Sequence, residues 1–130
     1  MEVIDYTLPH PAFALAFSST HPSSSASLPS ETKLAVGSFE TRGENKVTIL
    51  KPIDEATLAP VATATHAYPC IKVGFAPLTL RQKLGHGHDL LATSSDSLRL
   101  WDCNDQDPSN SMLSLRANLT NVCLVASTFG

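Results

Sequence analysis

Leu90-Leu91-Ala92-Thr93-Ser94-Ser95-Asp96-Ser97-Leu98-Arg99-Leu100-Trp101-Asp102 decides how the rest of this chain is read. Two apolar-rich runs flank the short polar turn Ser95-Asp96-Ser97, and that pattern predicts a β-hairpin. Upstream, Cys70-Ile71-Lys72-Val73-Gly74-Phe75 alternates with a period of two, as a half-buried strand does. A polar loop through Arg81, Gln82, Lys83, His86 and His88 separates that strand from the hairpin. Downstream, Met112-Leu113-Ser114-Leu115-Arg116 supplies a fourth strand.

The same order occurs once before. Phe13, Leu15 and Phe17 alternate with alanines. Leu34-Ala35-Val36-Gly37-Ser38-Phe39 and Lys46-Val47-Thr48-Ile49-Leu50 then flank a turn holding Gly43, Glu44 and Asn45. Pro60-Val61-Ala62-Thr63-Ala64-Thr65 follows as a fourth strand. Phe75 follows Phe17 by 58 residues, Ala92 follows Ala35 by 57, and Leu98 follows Val47 by 51. The drop reflects a shorter second hairpin turn. Three strand types recurring in one order at nearly constant spacing make an internal repeat. Four antiparallel strands per unit, over somewhat more than the roughly 40–45 residues usual for such repeats, describe the blades of a β-propeller. The extra length falls between first and second strands, where surface insertions cost little. The expected fold class is all-β, with antiparallel four-stranded blades and about two of them. Residues 1–65 form the first blade, with a Ser/Pro-rich loop at 18–32, residues 66–120 the second, and 121–130 a separate tail.

Composition removes other classes. The chain has 130 residues, 42% of them hydrophobic, which is ordinary for a folded domain. A net charge of −3 without a dense Lys/Arg cluster argues against direct nucleic-acid binding. Cys70, Cys103 and Cys123 are too few and too irregular for a disulfide framework. The start, Met-Glu-Val-Ile-Asp-Tyr, has neither the basic end nor the apolar run of a signal peptide, and no stretch approaches the roughly 20 apolar residues that span a bilayer. A cytoplasmic or nuclear home without membrane contact is expected, which leaves the sequon Asn118-Leu119-Thr120 accidental.

The second unit resembles a WD40 repeat over Leu90–Asp102. In that family a Trp, a Ser/Thr, an Asp of the hairpin turn and an upstream His form a buried hydrogen-bond chain. The resemblance assigns those roles to Trp101, Ser94, Asp96 and His66. A buried indole N–H and a hairpin carboxylate both require partners, so such a chain fixes blade geometry. The hairpin lacks the common Asp-Gly-Thr turn, His66 is followed by Ala-Tyr-Pro, and the first unit has Leu50 where the Trp stands in the second. With Lys33–Phe39, Asn45–Ile49, His66-Ala67-Tyr68-Pro69 and Asp89–Ser94, these departures resemble a subfamily of regulator WD proteins. It comprises the plant anthocyanin and trichome regulators and their animal and fungal cullin-associated counterparts. The resemblance covers roughly residues 1–120 and implies a non-catalytic scaffold without a cofactor. Its partners would be protein kinases, transcription regulators or a cullin-RING ligase adaptor. The Trp-Asp-x-Arg box of many ligase receptors is not intact here, because Asn104 stands in the Arg position.

Other readings compete residue by residue. His86-Gly87-His88-Asp89 contains metal-ligand types, but a structural zinc needs about four converging ligands, and a solvated loop accounts for this pair. Ser94, Asp96 and His66 are the residue types of a catalytic triad, yet no G-x-S-x-G elbow surrounds any serine. A small hydrolase or metal-binding protein is therefore the third hypothesis. The Ser18–Thr32 loop offers Thr20, Ser23, Ser24, Ser25 and Ser30 for phosphorylation, or is simply a tolerated insertion. The second hypothesis is a truncated or mis-spliced fragment of a scaffold, without independent activity. After Asn121 the resemblance stops, and Val122-Cys123 can be encoded by GTATGT-like sequence, as at many intron starts. Genomic DNA across codon 121 checks this, and the absence of a splice donor there contradicts it. Two blades also leave two faces without neighbours, so the chain expressed alone is expected to be marginally stable or prone to aggregate. A sharp, cooperative melt from a monodisperse monomer would contradict that expectation.

Overall fold

The computed structural model describes residues 4–18, 32–54, 56–77, 89–103 and 113–119. The candidate phosphorylation sites from Thr20 to Ser30, the pair His86 and His88, and the tail from Asn121 lie outside the described residues. Among the described residues eight strands occur: β1 (Ala12–Phe17), β2 (Leu34–Ser38), β3 (Asn45–Pro52), β4 (Leu58–His66), β5 (Lys72–Phe75), β6 (Asp89–Ser94), β7 (Leu98–Cys103) and β8 (Ser114–Leu119). They form two four-stranded antiparallel sheets, β1-β2-β3-β4 and β5-β6-β7-β8, with no helix among the described residues. The fold class is all-β, with two antiparallel four-stranded blades of the propeller type.

The repeat is visible in the irregularities as well as in the strand order. The register between β3 and β4 slips at Ile49/Leu50, where one residue of β4 bulges. The register between β7 and β8 slips at Leu100/Trp101, the matching position one repeat later. An extra residue at the same place in both outer strands bends and twists each sheet alike. The outer strands run beyond the expected limits, to His66 in one case and to Leu119 in the other. Most of the β8 side chains are exposed, so its extent is set by backbone pairing and hydropathy marks it poorly.

Alternation fixes which faces meet. On β2 and β3, Ala35, Gly37, Val47 and Ile49 point to one side, and all four are buried. On the second sheet, Val73, Leu91, Thr93, Trp101 and Cys103 occupy the side that meets them. The sheets therefore stack head to tail, unlike faces together. Val73 in β5 is 6% exposed, whereas its counterpart Leu15 in β1 is 59% exposed and the neighbouring Phe17 66%. Among the described residues only the second sheet has a neighbouring sheet on that side, although Val36 and Leu50 on the same face of the first sheet are buried.

Two further features hold the blades in place. Asn45 closes the β2–β3 turn: its Oδ1 accepts from the Glu40 amide (2.7 Å) and the Ser38 hydroxyl (3.1 Å), and its Nδ2 donates to the Glu40 carbonyl (3.1 Å). Gly43 takes a φ of 103° in that turn, where L side chains are strained. Between the sheets, Lys33 Nζ lies 2.8 Å from Asp89 Oδ2 with both side chains buried. A buried pair of this kind adds little net stability over apolar packing, but losing one member is expensive, and it discriminates against other sheet alignments.

The stacking is tight at Gly37. A Cβ there would lie 3.0 Å from Cys70 Cβ and 3.3 Å from Ala14 Cβ. Gly37→Val should therefore destabilise the chain by about 1–3 kcal/mol through overpacking, read as a lower urea midpoint. An unchanged midpoint would mean that the sheets do not approach each other here.

Candidate functional site

His66 is the last residue of β4 and is almost completely buried, yet its hydrogen-bond partners belong to the second sheet. Arg99 Nη1 lies 2.8 Å from His66 Nδ1. A guanidinium can only donate, so Nδ1 must accept and carries no proton. The proton of the neutral ring then sits on Nε2, which donates to Thr93 Oγ1 at 3.3 Å. The same hydroxyl oxygen accepts the indole N–H of Trp101 at 2.8 Å. The His66 and Trp101 rings meet edge to face, with centroids 5.5 Å apart at 79°. One hydroxyl thus collects two donors, one from each sheet.

The hydroxyl at the centre belongs to Thr93, whereas the sequence reading placed Ser94 there. The correction follows from the pleat. Leu91 pairs with Trp101 in the β6–β7 ladder, so the residue two further along β6 shares the Trp101 face, and that residue is Thr93. Ser94 points to the opposite face, and its backbone carbonyl, in the plane of the sheet, accepts the amide of Ile71 at 2.8 Å. Asp96 is connected at one remove. Its carboxylate lies 3.1 Å and 3.3 Å from the Arg99 guanidinium, and Arg99 makes the contact to His66. Arg99 is the member that sequence reading did not single out. Its signal was the alternation that sets it beside Thr93 in the ladder.

Electrostatics favour a neutral ring. Burial holds the His66 imidazole below its usual range, and Arg99 pushes the same way against the opposing pull of Asp96. Burial also pushes the Cys70 thiol up to about 11, with opposing smaller effects from Arg99 and Asp96. Cys70 is thus a neutral packing residue, without the thiolate character that a nucleophile needs.

Above this chain, at the end of the sheets that carries the hairpin turns, lies an apolar pocket of about 450 Å³. Phe39, Tyr68, Pro69 and Ile71 line it with Ser95 and Asp96. The residues come from three connections: the β2–β3 turn, the β4–β5 loop and the β6–β7 hairpin. Ser95 Oγ donates to the Tyr68 carbonyl at 2.9 Å and fastens the last two together. Phe39 packs against Phe13 with ring centroids 5.1 Å apart. Tyr68 and Ile71 are 60% and 64% exposed. Large apolar side chains grouped in this way around a cleft are the usual mark of a binding surface.

The residue types of a triad do not converge, since Ser94 faces away from His66. Among the described residues, no three His, Cys, Asp or Glu side chains gather as a metal-ligand set.

The pocket lies at the hairpin end of two stacked four-stranded antiparallel sheets. No family model matches the chain. Over 99 residues it is 32% identical to the DDB1- and CUL4-associated factor 7 homolog of Dictyostelium discoideum. The match takes in 75% of this chain and 29% of that protein, so the chain spans under a third of its relative's length.

Thr93→Val keeps the shape but strands the indole N–H and the His66 Nε2–H. It should cost about 1–3 kcal/mol in urea denaturation. Ser94→Ala should stay within about 0.5 kcal/mol of the parent. Equal effects of the two substitutions would contradict the assignment.

Proposed function

We propose that this chain is part of a WD-repeat adaptor, a non-catalytic platform that holds protein partners at the hairpin end of its blades. The observation that carries the reading is the exposed apolar pocket of Phe39, Tyr68, Pro69 and Ile71. Its backing does not depend on a ligand, because Ser95 ties the loops together and Asp96 is braced through Arg99 onto the buried His66. A pre-formed pocket loses little conformational entropy when a partner docks, which favours binding. The name of the Dictyostelium relative supports DDB1 and CUL4, components of a cullin-RING ligase, as the first partners to test. Kinases and transcription regulators are the further classes that the sequence resemblance suggests.

The experiment is a pull-down of purified DDB1–CUL4 with the full chain and with its Tyr68→Ser/Ile71→Ser variant. The wild-type chain should retain the complex. The variant should bind at least about tenfold more weakly, as expected when central apolar anchors are removed, while its Trp101 emission stays unchanged. A wild-type chain that retains nothing, or a variant that binds equally well, would overturn the proposal.

A further inference from the structure

We propose that the His66–Arg99 contact makes the joint between the two sheets acid-labile, so that a proton on His66 unseats it from the second sheet and uncovers the edge of the Trp101 ring that His66 packs against. His66 stands on the first sheet, and Thr93, Arg99 and Trp101 stand on the second. Nδ1 is the one ring position where a proton can be added, since Nε2 already carries one. At 2.8 Å from Nδ1 stands Arg99 Nη1, a cationic donor with no lone pair to offer. Protonation would therefore turn a hydrogen bond into a donor-to-donor, cation-to-cation contact inside a buried site.

The surroundings offer limited relief. From β3, the residue paired with His66 is Asn45, which is neutral. From β6 comes the neutral Thr93, and from β7 the Trp101 ring edge and the Arg99 guanidinium. Cys70, before β5, is a protonated thiol. Among the described residues, the one anion acting on the ring is Asp96 in the β6–β7 hairpin, and both its oxygens are engaged with Arg99. The folded chain accordingly binds this proton less readily than the unfolded chain. The stabilisation from a neutral His66 is fully present above about pH 6.5, the unfolded value, and is lost as the pH falls through the lower folded-state value.

The reporter is already in place, because Trp101 is the single tryptophan and its N–H ends the chain of bonds. The experiment follows Trp101 emission and the urea midpoint of the full chain from about pH 7.5 down to about pH 5, the range in which histidine titrates. In the wild type, the emission should shift and the midpoint should fall across this range. His66→Gln, which keeps a donor and an acceptor but cannot titrate, should abolish both changes. Arg99→Met removes the opposing cation. It should move the emission transition to higher pH and flatten the fall of the midpoint, and it serves as the test should His66→Gln fail to fold. An emission and midpoint flat with pH in the wild type would overturn the proposal. So would an undiminished transition in His66→Gln, or an unmoved one in Arg99→Met.

Discussion

The hydroxyl of Thr93 is the point on which the two sheets agree. It accepts the indole N–H of Trp101 from its own sheet and the Nε2–H of His66 from the neighbouring one. Neither donor has water to turn to, since His66 and Trp101 are both buried. An unsatisfied donor in such a place costs more than the net gain of an ordinary hydrogen bond, so the bond constrains the packing more than it stabilises it. Once His66 must reach Thr93, the end of β4 must lie against β6 and β7. Arg99 and Asp96 then follow, and with Asp96 comes one wall of the apolar pocket.

Stacking unlike faces is the second constraint, and it follows from repetition. A sheet whose two faces differ can be covered by a copy of itself only head to tail. Small residues on one side, Ala14, Ala35 and Gly37, admit larger ones from the other, among them Val73, Leu91 and Trp101. Lys33 and Asp89 sort the alignment further, because the pair meets only when these two faces are opposed. The apolar side chains of β1 that remain exposed, Leu15 and Phe17, occupy the positions that β5 fills with the buried Val73 and the partly buried Phe75. In a full ring each blade has a neighbour on both sides, and stability resides mainly in those interfaces.

Much of the architecture was legible in the residues. Period-two alternation, two turns and a nearly constant offset were enough to place eight strands in two repeated sheets. Backbone pairing must follow that pattern, because a slip of one residue turns every side chain to the wrong face. The site was legible in part. His66, Asp96 and Trp101 are all in the constellation, whereas Ser94 is replaced by Thr93. Similarity to a motif places a hydroxyl only to within a residue, and the pleat decides which of two adjacent ones faces the indole. Arg99 was hidden because an arginine on a strand usually faces solvent. The pocket was hidden because Phe39, Tyr68 and Ile71 come from separate connections, and only the stacked sheets bring those together.

A long-range 1H–15N correlation spectrum of the His66 ring, recorded together with its NOEs, tests this account most directly. The structure predicts a neutral ring protonated at Nε2, an unprotonated Nδ1, and NOEs from His66 to the Trp101 indole across the two sheets. A ring protonated at Nδ1, or one without NOEs to Trp101, would contradict it.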